Sequence, residues 1–214
     1  MIRDLLQNLY DATIRPLLPR KVVVHNGVAV RSGRLLDATD EKPDYEGSLV
    51  AAIRERVDPG DDVVVAGGGH GVSAVVAARR VGSSGSVVVF EGATAQVRML
   101  KETVVLNRVA EEVEVRHAVV ASGNNLWDDR GDAASVAPSE LPDCDVLVLD
   151  CEGAELQILS AADLPPTVIV ETHGIFDAPT QESRRLLEDA GLSIVEDRVE
   201  FPSEDVHVLT AVRR

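Results

Sequence analysis

Residues 63–91 read VVVAGGGHGVSAVVAARRVGSSGSVVVFE, and this stretch decides the fold. Val63 to Ala66 is a short apolar run, the pattern of a strand buried on both faces. Gly67, Gly68, Gly69 and Gly71 interrupt it. Residues 71–80 then suit a helix, and Val87 to Phe90 repeat the first run and end at Glu91. Strand, glycine-rich turn, helix and strand make one βαβ unit. Such units build a parallel sheet with helices on both faces.

The alternation continues outward. Upstream, a helix is expected over Glu46–Val57, capped by Asp44 and closed by Pro59-Gly60. Downstream, Val97, Leu100 and Val104 give one apolar face to a helix over 94–107. Strands follow at 113–120, 146–149 and 167–171, with helices at 153–160 and 180–190, the latter closed by Gly191. The terminal runs 192–199 and 206–212 are joined only by the turn FPSED, too short for a crossover, so they pair antiparallel. The result is a doubly wound α/β domain over 46–214. Its seven-stranded sheet is mostly parallel, with the last strand antiparallel. Residues 122–145 form a long polar link that holds the only tryptophan, Trp127.

Residues 1–45 read as an extension. Ile2, Leu5, Leu6 and Leu9 have helical spacing, stopped by Pro16 and Pro19. In KVVVHNGVAV, Asn26-Gly27 between two Val-rich runs marks a tight hairpin. A loop is expected over 31–45.

Composition narrows the function. Aromatic residues are 3% of the chain, so the core is built from Val, Leu, Ile and Ala. Three Lys and 18 Arg face 36 Asp and Glu, for a net charge of −15. No basic stripe is present, which disfavours nucleic acid as a partner. So strong an acidic excess suits either an ordinary soluble acidic enzyme or a halophilic one, whose self-repulsion concentrated salt screens. The longest run free of charged side chains, 63–78, is too short to span a membrane. Asp4 and Asp11 break any signal-peptide pattern, and a cytoplasmic chain is expected. Cys144 and Cys151, with no CxxC, read as reduced, packed thiols.

A glycine-rich turn entering a helix lets backbone approach a ligand, and an acid ending the next strand is placed for ribose hydroxyls. Two cofactors fit. Gly69, Gly71 and Ala74 spell a nicotinamide dinucleotide pattern, whereas Gly67, Gly69 and Gly71 suit S-adenosylmethionine. The strand ends at Ala66, so Gly67 is the first turn glycine and the dinucleotide pattern starts two residues late. No Tyr-x-x-x-Lys pair is present to serve a dehydrogenase.

Four stretches in order, DDVVVAGGGHG, FEGATAQVRMLKETVVLN, VLVLDCEGAELQIL and VIVETHG, resemble the FkbM-type methyltransferases, a branch of the class I S-adenosylmethionine-dependent fold. The resemblance covers about residues 45–175 and is carried most specifically by Asp150-x-Glu152-Gly153-x-Glu155. It implies a cofactor site at Gly67, Gly68, Gly69, Gly71, Glu91, Gly92 and Asp150. Glu91 would hold the ribose, and Asp150 would lie beside the transferable methyl. It also implies methyl transfer to a hydroxyl of a small molecule or glycan. Four positions depart from the family pattern. Val65 replaces the acid that opens the glycine motif, Gly68-Gly69 replaces Ala-Asn, and Gly92 replaces a proline. Val65 keeps open a non-catalytic binding domain, and a two-residue register shift would favour an NAD-dependent oxidoreductase.

Beyond the strand ends, Asp150, Glu152, Glu171 and His173 are expected on one rim as catalytic candidates. A carboxylate or His173 would take the acceptor's proton. Alternatively Asp150, Glu152 and Glu171 would hold Mg²⁺. Glu155 reads as a helix-face or packing residue and Cys151 as packing. His25, His117 and His207 read as structural, and His70 as either a cofactor contact or an exposed turn residue.

Overall fold

The computed structural model describes residues 9–10, 12–121, 129–176 and 178–213. The expected helix over Ile2–Leu9 therefore lies almost wholly outside the described residues, as does Trp127. Two strands, β1 (Arg20–His25) and β2 (Val28–Arg34), form the expected hairpin. Asn26 and Gly27 turn it with φ of 46° and 81°, the left-handed pair that a two-residue hairpin loop requires. A short β3 (Glu41–Lys42) pairs parallel with β1, so a small three-stranded sheet occupies part of the stretch read as a loop.

The main body then alternates. It runs α1 (Gly47–Arg56), β4 (Asp62–Ala66), α2 (Val72–Val81), β5 (Ser86–Glu91), α3 (Thr94–Leu106) and β6 (Val113–Val120). It continues with β7 (Ala134–Val136), β8 (Val146–Leu149), α4 (Glu155–Ala161), β9 (Thr167–Glu171), α5 (Thr180–Asp189), β10 (Leu192–Phe201) and β11 (Val206–Arg213). The sheet order is β10-β11-β9-β8-β4-β5-β6-β7. β11 is antiparallel to both neighbours, and all other pairs are parallel. The seven expected strands are all present. An eighth, β7, adds to the edge from within the stretch read as a polar link.

Period-two alternation divides the core into two layers. Val63, Val65, Val87, Val89, Val146 and Val148 pack with α1, α2, α3 and the hairpin. Val64, Ala66, Phe90, Leu147 and Leu149 face the other way, onto α4 and α5. Asn107, just past α3, fastens the hairpin: its side chain accepts from Ala29 N at 3.2 Å and donates to Ala29 O at 2.8 Å. Asp44 does not cap α1. The N-cap residue is Glu46, in the left-handed region at φ 48°, and its side chain makes no cap bond. No helix among the described residues is long and apolar enough to cross a membrane.

Candidate active site

The central strands β4, β5, β8 and β9 run parallel, so their carboxyl ends share one rim. A cleft of about 940 Å³, counting its open mouth, lies there. Gly67, Gly69, Glu91, Gly92, Asp150 and Glu152 all line it. Of the other residues read as binding, Gly68 and Gly71 belong to the same turn but pack inward. A Cβ at Gly68 would meet Leu100 Cδ1 at 2.3 Å and Val89 Cγ1 at 2.7 Å, so a neighbouring leucine fills the space that an alanine would need. Gly69 has φ 46° and nothing within 4 Å of a would-be Cβ. Asn tolerates that backbone, so the change from Asn to Gly alters no geometry. Gly67 is the most constrained: its added Cβ would lie 1.7 Å from Asp150 O. Backbone of the β4 turn and of the β8 end touch directly there.

Glu91 is buried beneath this turn. One of its oxygens accepts from Gly69 N at 2.8 Å and the other from Ala93 N at 2.7 Å. Each carboxylate oxygen keeps a further lone pair. Glu91 thus shapes the glycine loop and still presents acceptors to the cleft.

The acids at the end of β8 separate into different roles. Asp150 Oδ1 lies 3.5 Å from His173 Nε2, and Glu171 Oε1 lies 3.8 Å from the same nitrogen. Asp150, Glu171 and His173 offer three ligand atoms within 4.8 Å of one another. Glu152 is not in this group, a correction to the ligand set read from sequence. It has φ 51° and sits at the cleft wall. Glu152 comes three residues after β8 ends at Leu149, where the strand alternation that would have kept it beside Asp150 no longer applies.

Glu155 is the residue that spacing did not reveal. It is fully buried and accepts from Cys151 N and Gly153 N, each at 2.8 Å. Its Oε1 lies 2.9 Å from His173 Nδ1. With the proton on Nδ1, His173 donates to Glu155, and Nε2 turns its lone pair to Asp150 and Glu171. Glu155 therefore fixes the loop after β8 and the orientation of the imidazole. Only the fold puts an acid at the first helical turn beneath a histidine from the next strand. Tyr45, Glu46 and His70 are further wall residues, and the Tyr45 hydroxyl lies 3.0 Å from His70 Nδ1. Neither an exposed turn nor an isolated side chain describes His70. Cys151 is more than packing: its Sγ donates to Ala66 O at 3.1 Å at the cleft floor. Burial, with Glu155 and Asp150 nearby, pushes its thiol pKa far up.

Electrostatics follow from burial and crowding. Burial raises Asp150 to about 6, against the pull of His173. Burial, then the charges of Asp150 and Glu46, raise Glu171 to about 10. Burial and Asp150 raise Glu46 to about 8. Burial lowers His173, but the Glu155 bond and the Asp150 charge outweigh it, and the net direction is up. Among the described residues no lysine or arginine lines the cleft. The site is a negatively biased pocket with His70 in its wall; Glu171 and His173 are not among the residues that line it, and His173 lies beside Asp150.

No protein-family model matches the sequence, and no curated protein matches it either. Solved structures do resemble it. One is an O-methyltransferase from Thermotoga maritima described as SAM-dependent, with 18% identity, a TM-score of 0.53 and coverage of 79% of this chain and 65% of that one. This chain thus spans just under two thirds of that protein. A SAM-dependent methyltransferase from Aquifex aeolicus gives 18% and 0.53, with 78% and 89% covered. A precorrin-6y C5,15-methyltransferase from Geobacter metallireducens gives 14% and 0.57, with 86% and 95% covered. At such identities the likeness is one of fold: the chain has the class I methyltransferase fold.

Proposed function

We propose that the chain is an S-adenosylmethionine-dependent methyltransferase of the FkbM type, acting on a hydroxyl oxygen of a small molecule or sugar. The observation that carries this reading is the character of the cleft: a glycine turn over Glu91, walled by Glu46, Asp150 and Glu152, with no lysine or arginine among the described residues that line it. An acidic cleft favours a sulfonium-bearing cofactor and opposes the pyrophosphate of a dinucleotide. β4 ends at Ala66 with Gly67 first in the turn, the register that the S-adenosylmethionine pattern needs. Bound S-adenosylmethionine supplies an electrophilic methyl group. Glu91 is placed to accept from ribose hydroxyls, as an acid at the end of the second strand does in related nucleotide sites. The chain's own work is alignment of the acceptor and removal of its proton. Asp150, raised to about 6, ionises near neutrality and is a fit base for a bound hydroxyl. His173 Nε2, oriented through Glu155, is the other candidate.

Asp150, Glu171 and His173 also fit a divalent cation. Two carboxylates and an imidazole converge, and the imidazole is braced from behind, as metal-bound histidines are. Such an ion would lower the pKa of a coordinated hydroxyl. Mg²⁺ prefers all-oxygen ligands, so His173 shifts the preference toward Mn²⁺ or Zn²⁺. Val65, fully buried where the motif acid is expected, supports the competing reading of a domain that kept the fold without turnover.

Calorimetric titration with S-adenosylhomocysteine and with NAD, in high salt, tests the cofactor. Binding of the first and not the second is expected, and NAD binding alone would replace the reading with the oxidoreductase one. Asp150→Asn should keep cofactor binding and lower turnover by roughly 10²-fold or more if Asp150 is the base. A chelator abolishes turnover only if the metal is required.

A further inference from the structure

The loss of the motif acid leaves a definite chemical need. S-adenosylmethionine carries a primary ammonium, and its three N–H donors and charge need an acceptor when taken from water. Val65 stands where the resemblance expects that acid. It is fully buried, in the same core layer as Leu49, Val50 and Ile53 of α1. An acid at position 65 would point into that apolar layer. The N-cap residue of α1 is Glu46, which lines the cleft beside Gly67, Gly69 and His70.

Glu46 is costly to the fold where it stands. Its side chain makes no capping bond to α1. Its backbone is left-handed at φ 48°, where glycine or asparagine costs less. Its Oε2 is buried and makes no hydrogen bond to any described residue. The Tyr45 hydroxyl bonds the carboxyl, and the charges it feels most strongly are those of Asp150 and Glu200, both acidic. A buried, unpartnered carboxyl oxygen facing a cleft is an open acceptor, and among the described residues no lysine or arginine lines the cleft to fill it. Raised to about 8, the free group is protonated at neutral pH, and an arriving ammonium would draw it to the ionised form.

We infer that Glu46 receives the ammonium of the cofactor's methionine part. The inference rests on the reading of the cleft as an S-adenosylmethionine site.

The test compares two ligands that differ only in the amine, S-adenosylhomocysteine and 5′-S-(3-carboxypropyl)-5′-thioadenosine, on wild type and on Glu46→Gly. Glycine suits the left-handed backbone, so the variant should melt no lower than wild type. Wild type should bind S-adenosylhomocysteine about 10- to 100-fold more tightly than the deamino ligand, the range for a charged hydrogen bond. Glu46→Gly should bring S-adenosylhomocysteine down to the deamino level and leave the deamino ligand unchanged. If Glu46→Gly fails to fold, Glu46→Gln carries the same comparison. Wild-type affinity for S-adenosylhomocysteine in the variants would overturn the inference and leave the cofactor reading standing. So would an equal loss for both ligands, which would make Glu46 a wall residue or the seat of another cation. A wild-type chain that binds neither ligand would refute the cofactor reading and this inference with it.

Discussion

At the scale of the residue, Glu155 and His173 hold the rim in shape. A buried carboxylate that accepts two backbone N–H groups and an imidazole N–H uses three of its roughly four acceptor sites. Glutamine in its place has one acceptor oxygen and an NH₂ group that must face a donor. Leaving a buried donor unsatisfied costs about 1–3 kcal/mol, so Glu155→Gln should lose about that much in urea unfolding of the metal-free protein. The pH dependence has a definite sign. The folded pKa of His173 is raised, so its charged form contributes stability fully present below its ordinary value of 6.5. That contribution is lost as pH rises through the folded value. The carboxylate at 155 is one source of the raised pKa, so the Glu155→Gln penalty should be larger at pH 5.5 than at about pH 9. An NMR titration should also place the His173 pKa lower in the variant. Equal penalties at both pH values would show that the pair is held by geometry alone.

At the scale of the element, the glycine turn makes the clearest demand. Gly67→Ala would place a Cβ 1.7 Å from Asp150 O, backbone against backbone at φ 90°. β4 and β8 cannot both keep their places. The variant should lose at least about 3 kcal/mol or fail to fold, in line with the larger costs of overpacking and left-handed strain. Gly69→Ala meets nothing within 4 Å and carries only the left-handed backbone cost of about 1–2 kcal/mol. Thermal melts of the two variants should separate widely, and similar melts would mean that the turn rearranges freely. The same elements show what was legible in the chain. Val63–Ala66, Val87–Phe90 and Val146–Leu149 are short, uniformly apolar and bounded by Gly, Asp or Glu, so their burial on both faces could be read directly. Ala134-Ser135-Val136 has no such pattern: it is a three-residue edge strand whose identity comes from pairing with Ala118–Val120. The α1 cap was misassigned for a related reason. Asp44 has the right side chain, but the chain turns at Glu46 instead. At the site, position along a strand put Asp150 and Glu171 on one rim. The left-handed turn at Glu152 and the burial of Glu155 are tertiary facts, and spacing alone did not show that Glu155 braces His173.

At the scale of the whole molecule, charge is the dominant feature. With 36 acids against 21 bases, at least 15 carboxylates cannot be matched one to one with a basic side chain. Pairs do form, among them Arg20–Glu102, Arg198–Glu55 and Arg185 with Glu182 and Asp189. They are at least partly exposed, and such pairs contribute about 0–1 kcal/mol each at low salt. Salt acts on both terms. It weakens these few attractions, and it screens the repulsion summed over the whole acidic surface. The Debye length falls from about 10 Å at 0.1 M to about 3 Å at 1 M. Repulsion among many unpaired carboxylates acts over the longer of these distances, whereas the paired atoms lie within 4 Å and are screened less. The repulsive term should therefore fall further, and the fold should gain stability with salt. The melting temperature should rise as KCl goes from about 0.1 M to about 2 M, by about 2–4 °C for each kcal/mol gained. Most of the rise should come in the first molar, where the Debye length changes most. A neutral osmolyte such as sucrose, which acts by exclusion from the surface and not by screening, should give no such early steep phase. A melting temperature indifferent to KCl would mean that the acidic excess is neutral for stability, leaving an ordinary acidic protein in place of a salt-adapted one.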